Sequence, residues 1–237
     1  MTPGDETASE GGTTAAGGRR VRGRTAEQRR QDRREALLEA GLDLFGTKGY
    51  AATTVEEVCR RAYVTTRNFY AEFANREALL VAVGERIGGE VYLAAGTVAG
   101  APARQGDAPP GDGGGRIGAE EFRRLTRAHV SALVHAVTDD PRKARIAFVE
   151  YVGVSPENEV RRREARRAYA AVLADVLAPA LDARGLGRAR HQPFVLALTG
   201  GVDELIADWA LHPDDRGSVD ELIDVVTAFT LAVLGLG

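Results

Sequence analysis

Residues 53–73 read TTVEEVCRRAYVTTRNFYAEF. Two short amphipathic segments flank Arg61 to Val64. Thr53 or Thr54 is placed to cap the first, whose Val55, Val58, Cys59 and Ala62 share one face. Thr65 is placed to cap the second, where Phe69 and Phe73, four apart, fall on one side. A capped helix, a tight turn and a second capped helix packed by its apolar face make a helix-turn-helix. That packing frees the start of the second helix to enter a major groove about 12 Å wide. Thr65, Thr66, Arg67 and Asn68 are presented there. Arg forks onto guanine, Asn pairs onto adenine, and Thr offers a hydroxyl and a methyl.

Helical spacing continues on both sides. Upstream, Thr25 and Gln28 have the separation of a capping box. Leu37, Leu38, Leu42, Leu44 and Phe45 then recur with helical period, and Gly46 and Gly49 predict its end. Downstream, Asn75 is placed to cap a helix carrying Leu79, Leu80, Val83, Ile87 and Val91. Residues 99–118 hold Pro102, Pro109, Pro110 and Gly113 to Gly115, and predict a flexible loop. Periodicity resumes near Ala119 with Phe122, Leu125, His129, Leu133 and Ala136. Pro141 suits a first helical turn leading to Ile146, Phe148, Val149 and Val152. Ser155-Pro156 opens a long helix to about Arg184, closed by Gly185 and Gly187. Two helices follow, about 191–211 and 218–235. No two-residue alternation survives inspection, so the expected class is all-α, with no sheet and no internal repeat.

The segment around the helix-turn-helix resembles the DNA-binding domain of TetR-type regulators. Ala40, Leu44, Phe45, Gly49 and Tyr50 match the end of that family's first helix. Thr53, Thr54, Val55 and Val58 match its second, Phe69, Tyr70 and Phe73 its hallmark aromatic motif, and Arg76, Glu77 and Leu79 the start of its fourth. The match covers about residues 25–85. It departs at Tyr63, where the family commonly has Gly, and at Glu72, where an acid would repel phosphate.

The resemblance implies that Thr54 and Tyr70 touch phosphates, that Arg76 clamps the DNA backbone and that residues 65–68 read base edges. Thr53, with the arginine-rich segment that includes Arg22 and Arg24, completes the implied DNA-facing set. The implied architecture is a disordered basic, Gly-rich arm (1–23), a helix-turn-helix DNA-binding domain (24–75) and an effector-binding, dimerising helical bundle (76–237).

Net charge is −3, with 31 Lys and Arg against 34 Asp and Glu, and alone gives no hint of nucleic acid. Its distribution does: residues 19–34 hold eight arginines against Glu27 and Asp32. Such a local cluster matters because fields decay within about 10 Å at moderate salt. The single cysteine, Cys59, excludes an internal disulfide and reads as a buried small hydrophobe. No apolar run is long enough to span a bilayer and the N-terminus is polar, which gives a cytoplasmic expectation and no membrane partner.

His129 and His135, six apart, face different sides of a helix, so no metal site and no cofactor is expected. The arginines at 161, 162, 163, 166 and 167 read as a solvated helix face with Glu157, Glu159 and Glu164 as partners. Glu150 reads either as an arginine partner or as facing a cavity.

The expected function is a homodimeric, ligand-responsive regulator, acting as a repressor on a palindromic operator. Two helices carry the apolar sets expected to form the dimer: Phe194, Leu198, Leu205 and Trp209, then Leu222, Val226, Phe229 and Val233. Gly200-Gly201 would let helices approach closely. Tyr92, Phe122, His129, Phe148 and Tyr169 are the candidate lining of an effector cavity, for an unknown small molecule. Two alternatives stand beside this reading. One is a DNA binder that answers to no effector. The other is an all-helical enzyme, for which the sequence offers no nucleophile elbow, phosphate loop or Cys/His cluster.

Overall fold

The computed structural model describes residues 25–98 and 118–236. The arm at 1–23, Arg22 and Arg24 with it, and the segment 99–117 lie outside the described residues. Within them the first four helices start where their caps allow. Thr25 and Gln28 bond reciprocally at 3.1 and 2.7 Å to open α1 (Ala26–Thr47). Thr54, not Thr53, caps α2 (Val55–Ala62), and Glu57 returns the bond. Thr65 accepts the Asn68 N–H at the head of α3 (Thr66–Glu72). Asn75 accepts the Ala78 N–H at 2.8 Å, where α4 (Arg76–Val98) begins.

Two glycine readings change. Gly46 does not end α1, which runs on to Thr47. A Cβ at Gly46 would lie 2.4 Å from the Arg142 Cβ and 2.9 Å from its Cα, so the glycine marks a close approach of two helices. Gly49, at φ +94, is the residue that turns the chain. The turn between α2 and α3 keeps its left-handed residue without a glycine: Tyr63 sits at φ 55, ψ 37 and is the only non-glycine at positive φ among the described residues.

The rest is helical, with no strand among the described residues. α5 (Ala119–Thr138) is followed by α6 (Pro141–Arg145), whose N-cap is Asp140. α6 widens directly into a π-helical turn, Ile146–Glu150. α7 (Pro156–Ala183) starts from a Ser155 cap. A 3₁₀ turn, Arg188–Arg190, leads into α8 (His191–Leu211), and α9 (Val219–Val233) follows from a Ser218 capping box. α4 packs on α1 and α5, α5 on α9, and α7 on α8, while α6 lies on α1.

One core runs from α1 into the bundle, joining Leu37, Phe45, Phe69 and Leu79 to Val134, Ile146, Ile206 and Val226. A smaller one, around Ala170, Leu181, Val195 and Leu234, takes in Phe122 and Phe194.

The buried line of α5 differs from the expected stripe. Val130, Val134 and Val137 are buried because α5 is held between α4 and α9. Phe122, His129 and Leu133 are only half-buried.

Four residues expected at a dimer interface are instead core residues of their own chain. Leu198 is 4% exposed, Trp209 8%, Leu222 6% and Val226 0%. Trp209 also donates its indole N–H to the Gly217 carbonyl at 3.0 Å. α8, α9 and α5 saturate these side chains internally. Phe194, Leu205, Phe229 and Val233 are half-buried. The close approach expected of Gly200-Gly201 occurs within the chain, since a Cβ at Gly201 would stand 2.8 Å from the Phe229 ring.

Candidate nucleic-acid interface and effector cavity

α3 is propped outward by its apolar back. Phe69 is fully buried and Phe73 4% exposed, with their rings 5.9 Å apart. The opposite edge leaves Thr65, Thr66 and Arg67 exposed and Asn68 half-buried. Tyr70 is 55% exposed and stands edge-on to Phe69. Thr66 also hydrogen-bonds the Cys59 thiol, which burial holds above its ordinary pKa.

Two residues of the implied DNA-facing set are engaged inside the protein. Thr53 is fully buried, and its hydroxyl donates to the Gly49 carbonyl at 2.8 Å, so its side chain cannot reach a duplex. The Arg76 guanidinium lies 4.2 Å from the centre of the Tyr50 ring and donates to the Thr53 carbonyl. It braces the loop that feeds α2 rather than projecting outward. Thr54 is exposed at the start of α2, as a phosphate contact requires.

Glu72 is not the repulsive acid its position suggested. Arg30 and Arg33 of α1 reach it at 3.1 and 3.6 Å, and its side chain is 1% exposed. The arginine-rich face of α1 thus serves in part to neutralise and clamp the far end of α3. Arg34 does a related job, stacking 4.6 Å over Phe73.

Behind this head, α4, α5, the π turn, α7 and α8 line a half-open cavity of about 670 Å³. Small residues create it. Gly88 of α4, Ala147, Ala165 and Gly200 leave room where longer side chains would meet, while Gly84 is a close approach, its Cβ position 3.0 Å from the Tyr151 ring. Ile87, Val91, Leu133, Val137 and Phe148 make one wall apolar. The facing wall is polar, formed by Arg161, Arg162, Arg166 and Tyr169 of α7 with Asp203 and Glu204 of α8.

Arg166 pairs with Asp203 at 2.9 Å, and Arg162 grips Glu159, whose pKa is held down to about 2 by Arg162 and Arg163. Burial pushes the Asp203 carboxyl up to about 6 against the opposing pull of Arg166 and Arg162. Burial likewise pushes Tyr169 up to about 12.

Of the expected lining residues, Tyr92, Phe148 and Tyr169 are in the cavity wall. Phe122 is not, because it packs into the smaller core. His129 stands behind the wall, 3.4 Å from the Tyr169 hydroxyl. Of the arginines read as a solvated face, Arg161, Arg163 and Arg167 are exposed and Glu159 partners Arg162 and Arg163 as expected, but Arg162 and Arg166 turn partly inward. Arg162, Arg166 and Tyr169 share an i, i+4, i+7 spacing that puts them on one side of α7, and that spacing was the available signal.

Glu150 takes up the arginine alternative and adds a second bond. It pairs with Arg145 at 3.0 Å and accepts the Tyr50 backbone N–H at 2.9 Å. Arg145 also donates to the Thr47 carbonyl at 3.0 Å. Alongside, Arg142 reaches Asp43 at 3.2 Å, and Asp43 also holds Arg61 of α2 at 2.7 Å.

Among the described residues, no group of three or more His, Cys, Asp or Glu is placed to hold a metal ion. No helix there is long and apolar enough to cross a membrane.

Residues 37–83 match the family of bacterial regulatory proteins described as the tetR family. The chain is 33% identical over 54 residues to an uncharacterized HTH-type transcriptional regulator of Bacillus subtilis, YerO, and 32% identical over 53 residues to a second, YuxN. These matches span 23% and 22% of the chain and only 19% and 18% of the relatives' own length.

The fold extends further. The fatty acid degradation regulator FadR from Bacillus halodurans superposes with a TM-score of 0.61 at 17% identity, over 86% of this chain and 95% of that one. FadR from Bacillus subtilis, in complex with stearoyl-CoA, gives 0.62 at 14% identity, over 86% and 98%. A tetR-family protein from Rhodococcus RHA1 gives 0.60 at 18% identity, over 85% and 96%.

Proposed function

We propose that this chain is a TetR-family transcriptional regulator that acts as a homodimeric repressor, binding a palindromic operator and releasing it when a small molecule fills the cavity. The observation that carries the reading is the π turn Ile146–Glu150. Ala147 and Phe148 face the cavity while Glu150, at the same turn's end, holds Tyr50 in the loop ahead of α2. A ligand that favours one position of Phe148 biases the other end of the turn, because it shifts the equilibrium by its differential affinity for the two states.

In this reading residues 24–75 bind DNA and residues 76–237 hold the effector and form the dimer. Thr54, Thr65, Thr66, Arg67, Asn68 and Tyr70 are the DNA-facing set. Tyr92, Phe148 and Tyr169 touch the effector. The dimer uses the outward sides of α8 and α9, which carry Leu211 and Val225, 54% and 52% exposed, and half-buried Leu205, Phe229 and Val233. A two-fold pair must set its recognition helices about 34 Å apart to enter successive major grooves. The stearoyl-CoA held by the similar FadR from Bacillus subtilis supports a small-molecule role for the bundle.

The test is selection of bound sequences from random duplex DNA, followed by affinity measurement with the selected site. A two-fold symmetric site with half-sites about one helical turn apart is expected. Binding without sequence preference would overturn the operator reading, and a monomer at micromolar concentration would overturn the dimer.

A further inference from the structure

We propose that Glu72 stands in for a DNA phosphate, holding Arg30 in the free protein and ceding it to the backbone of a bound duplex while Arg33 keeps the carboxylate neutralised. The inference rests on the DNA-binding reading above and adds to it a pair that sets how tightly the head grips DNA of any sequence.

The cluster holds two guanidinium groups and one carboxylate, so one positive charge is in excess. The two arginines are not equivalent. Arg30 donates its Nε to Glu72 at 3.1 Å, and its side chain is 60% exposed. Arg33 is 35% exposed and reaches the other carboxylate oxygen only through Nη2, at 3.6 Å. Its Nε is buried with no acceptor. The Nε and Nη2 of one guanidinium form a fork that fits a single carboxylate, as Arg162 shows on Glu159 at 2.8 and 2.9 Å. Arg33 can close that fork on Glu72 once Arg30 leaves. The idle Nε is then satisfied, and the buried carboxylate is never left unpaired.

The position puts a phosphate within reach. α3 has seven residues, about 10 Å at 1.5 Å each. With its first residues at the base edges of a groove about 8.5 Å deep, its far end comes out at the phosphate rim. Glu72 is the last residue of that helix. A phosphate offers Arg30 the same planar match as the carboxylate it leaves. Because Arg30 must break one ion pair to make the other, its contact adds less to binding than an unpaired arginine would.

The probe is a mixed-sequence synthetic duplex, with affinity for the full-length chain measured across about 50 to 200 mM salt. Glu72→Gln should tighten binding about fivefold per DNA-reading head, the upper end of what an ion pair with an exposed partner contributes. In an Arg30→Gln background the same substitution should change affinity little. Arg30→Gln alone should make the slope of log affinity against log salt shallower by about 0.9 per head, a readout that a purely structural clamp does not move. Arg30 is mostly exposed, so this variant carries the test should Glu72→Gln fail to fold.

An unchanged salt slope in Arg30→Gln overturns the phosphate exchange and leaves the DNA-binding reading standing. So does an equal gain from Glu72→Gln with and without Arg30, which marks a general effect of charge. Failure of the parent chain to bind the duplex at low salt overturns both.

Discussion

The Glu150 carboxylate accepts the backbone N–H of Tyr50 at 2.9 Å across a sequence separation of 100 residues. The Arg76 guanidinium covers the same tyrosine's ring and donates to the Thr53 carbonyl, next to the Thr54 cap of α2. A continuous set of contacts therefore leads from the cavity's π turn to the helix that supports α3. Glu150→Ala should destabilise the chain by about 2 kcal/mol, the usual scale for a hydrogen bond to a charged group. Glu150→Gln, which keeps an acceptor, should cost less than half as much. Urea denaturation checks both. In the same variants effector-driven release of DNA should weaken. Unchanged release in Glu150→Ala would show that the coupling runs elsewhere.

Base reading and backbone holding should separate in α3. Arg67→Ala is expected to cost about 1–3 kcal/mol on the selected operator and to relax the preference at one base pair. Tyr70→Phe should weaken all sequences alike, because a phosphate contact carries no base identity. Thr53→Val should leave DNA affinity unchanged and cost about 1 kcal/mol of stability, since it removes a buried hydrogen bond. Parallel titrations on operator and scrambled duplex distinguish the three.

The left-handed Tyr63 is a strained position held for the sake of the turn. An L-residue there costs about 1–2 kcal/mol, of which glycine's larger unfolded-state entropy gives back only part of any gain. Tyr63→Gly should therefore stabilise by about 0.5 kcal/mol, and Tyr63→Val, β-branched, should destabilise by about 1 kcal/mol or more. Thermal melts of the pair read the difference. At 95% exposure the ring makes little contact that its loss could confuse.

What was legible in the chain was what short range decides. Thr25, Thr65, Asn75 and Ser155 cap their helices because a hydroxyl or amide two or three residues ahead of free N–H groups acts locally. Thr53 and Thr54 are equally good caps by type. Only the fold decides between them, by burying the first. The apolar sets of α8 and α9 were correctly apolar, but a pattern cannot tell a core from an interface, since both need the same side chains. Leu198 and Val226 fell on the inner side for that reason. The cavity was the least legible feature. It depends on absences, such as those at Gly88 and Gly200, and on Arg162 and Arg166 turning inward where a run of arginines ordinarily faces water. Glu72, similarly, looked hostile to DNA until α1 brought Arg30 and Arg33 to it.

Acidity should register at Asp203. Its folded carboxyl titrates near 6, above the range of an unfolded aspartate. The folded state then binds the proton more tightly, so the associated stability is fully present below the unfolded pKa and is lost as pH rises through about 6. Asp203→Asn lacks this dependence. Between pH 5 and pH 7.5 the parent should lose about 1 kcal/mol relative to the variant, a figure reduced for solvent screening because 35% of the side chain is exposed. Denaturation midpoints at the two pH values provide the check. A parent that gains on the variant as pH rises would reverse the sign and rule out burial as the cause.

The seam between α1 and α6 has a genetic consequence. With the Arg142 Cα itself 2.9 Å from where a methyl would stand at residue 46, no shortening of the partner's side chain makes room. A compensating substitution at 142 is thus ruled out by the main chain. If both codons were randomised and survivors chosen for folding, position 142 would drift among many residues while position 46 returned glycine nearly every time.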